Sequence, residues 1–209
     1  MGMLLNPQHN FTIYDVPKGG GTTIRSWIDY AETGQTLLKE LHKGYVSQNG
    51  QSYQRLKDRY NVCWFQPTTG KKIAIKRDPI KRFISCYKDK IIREGRDCKT
   101  HGWSVDKILD EYNRLPNHWR KHGKTPIGYL YYHFAPMVQH LGKDPSYYDQ
   151  VFWLSEMDTK VKEYLEDMWK IKLPNLHCRN QKYSNPLNLT KKQKNKIREI
   201  YSIDYNIWC

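Results

Sequence analysis

An α/β fold with a mostly parallel sheet is predicted for this chain by three observations. Short segments rich in β-branched and aromatic residues alternate with segments whose apolar residues recur at helical spacing. Glycine-rich or proline-marked turns separate them. The two sharpest polar motifs each follow directly on a strand. Strand–helix alternation calls for crossover connections and therefore parallel strands. In open sheets of this kind ligands sit beyond the carboxyl ends of the strands.

The first strand is Phe11-Thr-Ile-Tyr-Asp-Val16, which runs into Pro17-Lys18-Gly19-Gly20-Gly21. Thr22 or Thr23 is then expected to cap a helix whose residues Ile24, Trp27 and Ile28 follow i, i+3, i+4 spacing. The polar stretch from Thr33 to Tyr60 carries a helix near Leu37–His42 and little else that periodicity identifies. A second strand, Lys72–Lys76, ends at Arg77-Asp78-Pro79, with Pro suited to the first helical position. The helix after it continues through Phe83, Ile84, Tyr87 and Ile91. A third strand, Gln150–Leu154, precedes a helix from about Thr159 to Trp169, and Thr190 opens a last helix running to about Tyr201.

Length and composition narrow the class. The 209 residues suit one domain, expected over 1–209. Sixteen Tyr and 7 Trp argue against disorder. Apolar runs such as Ile73–Ile75 and Val151–Leu154 fall far short of the roughly 18 residues a membrane span needs. Met1–Asn10 shows no basic segment leading into an apolar one, so no signal peptide is expected. Cys63, Cys86, Cys98, Cys178 and Cys209 form no CxxC pair and are odd in number, which reads as reduced thiols rather than a zinc site or disulfide framework. A cytoplasmic location is expected; a luminal enzyme cut from its membrane anchor is the alternative.

Lys and Arg number 35 against 21 Asp and Glu, a net charge of +14. Such a surface suits nucleic acid, acidic lipid, anionic glycans or anionic cofactors, and charge alone does not choose among them. The Lys191–Arg198 run lies on an amphipathic helix whose simplest role is a solvated face.

The chemistry is concentrated in two motifs. In Lys18-Gly19-Gly20-Gly21-Thr22-Thr23 the glycines let the backbone approach a bulky anion, the helix start offers unpaired N–H groups, and Lys18 adds a point charge. The ATPase P-loop pattern puts its Lys after the last glycine, whereas Lys18 comes before. The structural alternative is a plain glycine turn. In Arg77-Asp78-Pro79-Ile80-Lys81-Arg82-Phe83-Ile84-Ser85-Cys86-Tyr87, the Arg77 fork and the Ser85 hydroxyl can converge on one phosphate. Arg82 either binds anion or pairs with Asp78 at i, i+4, the simpler reading.

Together, Pro17-Lys-Gly-Gly-Gly-Thr-Thr23 and Arg77-Asp-Pro-x-x-Arg-x-x-Ser85-x-Tyr87-x-x-Lys90 resemble the sulfotransferases that use 3′-phosphoadenosine-5′-phosphosulfate (PAPS). The likeness is greatest to the carbohydrate sulfotransferases of the Golgi type and their relatives. It extends faintly to His133-Phe-Ala-Pro136, to Tyr148-Asp-x-x-x-Trp-x-x-Glu156 and to Leu173–Lys182. The chain departs from that pattern in its extra glycines, in Ile24 where relatives often carry an aromatic, and in the absence of the usual anchor.

The resemblance implies a P-loop-like three-layer fold with a central, mostly parallel sheet flanked by helices. It implies that Pro17, Lys18, Gly19, Gly20, Gly21, Thr22 and Thr23 bind the 5′-phosphosulfate end of PAPS, with Lys18 also catalytic at the bridging oxygen. Arg77 and Ser85 would hold the 3′-phosphate. Read from its own residues, Leu176–Tyr183 is a candidate cover for the adenosine, with Arg179 and Lys182 suited to an anion and Tyr183 to stacking on a base; a plain surface loop is the alternative. No metal is expected. The acceptor is a hydroxyl of a sugar or polysaccharide, with an anionic glycan suiting the +14 charge. A base must take the acceptor's proton. His42 is the first candidate, His133 the second and Glu32 the third, while Glu156 reads as a buried, paired structural residue. The alternatives are a nucleotide kinase-like P-loop enzyme and a non-catalytic basic module that binds nucleic acid; the preferred reading involves no nucleic acid and no membrane segment.

Overall fold

A computed structural model describes residues 2–6, 11–34, 70–93, 102–114, 126–176 and 187–209. His42, Arg179, Lys182, Tyr183, the helix expected near Leu37–His42 and Cys63, Cys98 and Cys178 lie outside the described residues.

In chain order the elements are β1 (Gly2–Asn6), β2 (Phe11–Asp15), α1 (Gly21–Thr33), β3 (Lys71–Lys76) and α2 (Pro79–Tyr87). They continue with α3 (Val105–Arg114), α4 (Pro126–Phe134), α5 (Val138–Leu141), β4 (Gln150–Trp153), α6 (Lys162–Trp169), α7 (Lys191–Ile200) and α8 (Ser202–Trp208). Alpha-helix α2 runs on as a π-helical stretch, Lys88–Arg93, and another, Met157–Val161, leads into α6. The fold is α/β, with a parallel three-strand sheet flanked by helices, as the strand–helix alternation predicts.

The chain divides into two compact units, one of Met1–Lys76 and Pro145–Asn180, the other of Arg77–Asp144 and Gln181–Cys209. The first holds the sheet, ordered β1-β2-β3-β4. Strands β2, β3 and β4 are parallel, with Asp15 opposite Ile75 and Lys76 opposite Trp153. Strand β1, which the sequence did not announce, pairs antiparallel along β2. Alternate residues Phe11, Ile13, Ile73, Ile75 and Phe152 share one buried cluster with Ile24, Trp27 and Ile28 of α1 and Leu165 and Trp169 of α6. Each such side chain, fully buried, stabilises by about 1.5–3 kcal/mol. Trp27 adds a directed tie, its Nε1–H donating to the Pro174 carbonyl at 3.0 Å. Helix α1 stops at Gly34, whose φ of 69° lets its N–H reach the Tyr30 carbonyl.

The second unit is helical. Phe83 and Cys86 of α2, Ile108 and Leu109 of α3, Leu130 and Phe134 of α4 and Ile197 of α7 form its core, together with Tyr201. Asp78 caps α2, its Oδ1 accepting the Lys81 N–H at 2.8 Å, and Pro79 opens the helix as expected. Thr190 and Gln193 make a reciprocal capping box at α7, as the sequence predicts for Thr190. At α1 the expectation needs correcting: Gly20, at φ 88°, takes the cap position, so Thr22 and Thr23 sit inside the first turn.

Candidate functional site

The loop after β2 is built by its backbone. Lys18 has φ 69° and Gly20 φ 88°, while the Gly19 N–H closes a tight turn onto the Val16 carbonyl at 2.7 Å. There is no room for side chains in the run that follows. A Cβ on Gly19 would stand 2.8 Å from the Val16 carbonyl oxygen, and one on Gly20 would stand 2.8 Å from Leu154 Cδ1 and overlap Met157. A Cβ on Gly21 would overlap Asp15 Oδ2. Backbone packing thus calls for glycine at 19 and the positive φ favours it at 20, while at 21 the Asp15 and Arg25 side chains would have to move aside. Lys18, by contrast, holds a left-handed conformation that a non-glycine residue adopts at a cost of about 1–3 kcal/mol. Lys170, the residue that ends α6, shares that conformation at φ 56°.

The start of α1 fits an anion. Gly20 offers no side-chain cap and the first turn carries no acidic residue. The N–H groups of Gly21, Thr22 and Thr23 thus have no partner within the helix, and the Asp15 carboxylate and Arg25 guanidinium both stand against Gly21 at the positive end of the helix dipole. That donor set, with the half-buried Lys18 beside it, suits a phosphate or sulfate group.

The second motif lies in the helical unit and is built by side chains. Arg77 follows the last residue of β3 and is half-buried; Ser85, also half-buried, lies in the second turn of α2. Burial pulls the Arg77 guanidinium below its ordinary value, with Arg82 acting the same way and Cys86 and Asp78 against it. A desolvated cation of this kind gains from an anionic partner. The i, i+4 pair expected between Asp78 and Arg82 is not what forms. Asp78 caps the helix, and Arg82, 0% exposed, donates through Nη1 to the His133 carbonyl at 3.2 Å and through Nη2 to the Ala135 carbonyl. Its guanidinium also lies over the Tyr201 ring at 5.2 Å.

His133, Glu32 and Glu156 also lie among the described residues. The His133 carbonyl, besides receiving Arg82, accepts the Cys86 thiol at 3.1 Å, while its ring stands edge-on to Tyr132. Glu32 sits in the last turn of α1, eleven residues beyond Gly21, which at 1.5 Å per residue places it about 16 Å along the axis from the loop. Glu156 is half-buried rather than buried, but it is paired: it accepts the Trp153 N–H at 2.9 Å and Lys160 Nζ at 2.6 Å. Those bonds hold its carboxyl below the usual range, Lys160 first. Tyr148 packs edge-on against Tyr14, and Asp149 accepts the Lys72 N–H at 2.7 Å, so this block fastens β4 to its neighbours. Among the described residues no group of His, Cys, Asp and Glu is arranged to hold a metal ion, and no helix is long and apolar enough to cross a membrane.

Two features escaped the sequence reading. One is the buried pair Asp15 and Arg25, flanking Gly21; its only signal is a charge in an otherwise apolar strand and another on an apolar helix face. The other is the turn after α4, held from several sides. Tyr201 Oη donates to the Phe134 carbonyl at 2.5 Å, and Asp204 accepts the N–H groups of Met137 and Val138 at 2.7 and 3.0 Å.

The chain has relatives by sequence. The chain is 28% identical over 151 residues to a Caenorhabditis elegans protein named "Putative sulfotransferase vep-2", an alignment covering 68% of this chain and 46% of that protein. The chain thus spans about half the length of that curated relative. No solved structure gives a significant match. The Sulfotransferase family profile matches residues 1–208, and the chain, with its glycine loop after β2 and its Arg77 motif after β3, belongs to that family.

Proposed function

We propose that this sulfotransferase-family chain moves a sulfuryl group from PAPS to a hydroxyl of a carbohydrate acceptor. The observation that carries the proposal is Lys18, held at φ 69° between β2 and the bare amino end of α1. When bound, the donor supplies an activated sulfuryl group on a phosphate that leaves as part of a nucleotide bisphosphate. Gly20 to Thr23 cradle the 5′ end through backbone N–H groups and the two threonine hydroxyls, while Pro17 and Gly19, whose N–H is taken by the Val16 carbonyl, shape the turn that brings the backbone close. Lys18 places its ammonium at the oxygen where negative charge builds during an in-line displacement, an electrostatic effect worth about 10²–10³ in rate. Arg77 and Ser85 take the 3′-phosphate, and Arg179 and Lys182 the adenosine side. His42 takes the proton of the acceptor hydroxyl, whose own acidity is far too weak to ionise near neutrality. The carbohydrate assignment draws on the motif resemblance and on the +14 charge, which suits an anionic glycan.

Calorimetric titration with 3′-phosphoadenosine-5′-phosphate, with ATP and AMP as controls, tests the donor. The expected result is tight binding of the bisphosphate that ATP does not match, weakened about tenfold or more by Arg77→Ala. An absence of binding at millimolar bisphosphate overturns the proposal.

A further inference from the structure

Beneath the floor of the glycine loop lies a charge arrangement that the donor reading does not use. Asp15 is the last residue of β2 and Arg25 lies in the second turn of α1; they are 6% and 8% exposed. Both close on the α-carbon of Gly21. A Cβ at Gly21 would overlap Asp15 Oδ2 and stand 2.8 Å from Arg25 Nη1. The helix explains half of this, because Arg25 is four residues after Gly21 and helical side chains lean back over the preceding turn. The strand explains the rest, since Asp15 is the last paired residue before the chain turns into the loop.

A carboxylate is an unexpected neighbour for amides that face an anion. Asp15 Oδ1 is buried without a hydrogen-bond partner. Burial pushes the Asp15 carboxyl above its ordinary value, and the Arg25 charge pulls it back. Left alone, a buried negative charge a few ångströms from the cradle would repel any phosphate or sulfate entering it, by about tenfold in affinity in a partly desolvated site. Arg25 supplies the opposite charge at the same point.

We propose that Asp15 and Arg25 together set the charge of the loop's floor. Arg25 is a positioning residue that balances Asp15 and lets the loop hold a multiply charged anion. Asp15 holds affinity down, so that a product keeping its phosphates still leaves. The inference rests on the reading of this loop as the donor site. The two partners therefore have opposite effects on anion affinity, a pattern that a purely structural pair does not produce.

The test is calorimetry at pH 8, where Asp15 carries more of its charge. Wild type, Arg25→Gln, Arg25→Lys and Asp15→Asn are each titrated with 3′-phosphoadenosine-5′-phosphate and with inorganic pyrophosphate, after thermal melts establish that each is folded. Arg25→Gln is expected to weaken both probes about tenfold or more, Arg25→Lys to recover most of that loss, and Asp15→Asn to tighten both about threefold or more. Asp15→Asn that weakens binding, or leaves it as it was, overturns the inference even if Arg25→Gln does not fold. Wild type that binds the nucleotide while both substitutions weaken it alike leaves the donor reading standing and removes the inference. Wild type that binds only pyrophosphate, with opposite effects of the two substitutions, keeps the inference and removes the donor. Binding of neither probe overturns both.

Discussion

The two motifs proposed to hold the donor's phosphates are built by different means. In the sheet-bearing unit, the Lys18–Thr23 loop owes its shape to backbone: two positive φ angles, three positions without room for a Cβ, and a helix start with no side-chain cap. In the helical unit, the Arg77–Ser85 segment owes its shape to side chains: Asp78 capping α2, Pro79 at its first position, and Arg82 buried against the carbonyls of His133 and Ala135. Backbone-built sites present N–H groups at fixed directions and tolerate almost no substitution along the loop. Side-chain-built sites depend on a few anchors, each separately replaceable, whose loss appears first as lost stability.

The sharpest break in that comparison is at Lys18. Lys18→Ala is expected to lower kcat/KM for sulfuryl transfer by about 10²–10³ with little change in melting temperature. Lys18→Gly separates the two roles of the position: it loses the same activity but relieves the left-handed backbone, so it melts higher than Lys18→Ala.

Next comes Arg82→Ala, which leaves two buried carbonyls without their charged donor and opens a cavity. It is expected to cost about 3 kcal/mol of stability in urea unfolding, so lost activity in this variant would follow lost fold. If urea unfolding showed no change, the view of Arg82 as the anchor of the helical unit would fail.

His140 gives a smaller, pH-dependent effect. Burial foremost, with the Arg82 charge second, holds this histidine well below 6.5, and it is only 2% exposed. The unfolded chain takes up a proton near 6.5 where the folded one does not. Stability is therefore complete above that pH and is lost as pH falls, by about 1.4 kcal/mol per unit. His140→Gln is expected to flatten that slope between pH 7.5 and 5.5 in denaturant titrations. Smallest is Asp78→Ala, which removes one helix cap and about 1 kcal/mol; thermal melting is the readout.

Much of the fold was legible because it is written in short-range pattern. Strands β2, β3 and β4 stand where β-branched and aromatic runs predict them, and Asp78-Pro79 and Thr190 mark helix starts. Gly20 displaced Thr22 and Thr23 from the cap because a glycine at φ 88° turns the chain into α1 two or three residues sooner than a threonine cap would. Strand β1 went unread because five residues carry too little periodicity, and its pairing with β2 supplies what its composition lacks. The Asp78–Arg82 pair failed for a related reason. Helical spacing brings the two within reach, but buried carbonyls elsewhere in the unit offered Arg82 a site out of water.

The sequence by itself determined the α/β class, the place of the glycine loop after a strand, the Arg77 motif after the next, and the family these imply. All depend on neighbours within a few residues, where spacing and turn chemistry act directly. Only the tertiary structure decided that Lys18 would sit at positive φ, that Gly21 would be wedged against Asp15 and Arg25, and that Arg82 would serve the core. Those outcomes depend on which groups lose water together, and burial is a property of the packed chain rather than of any short segment of it.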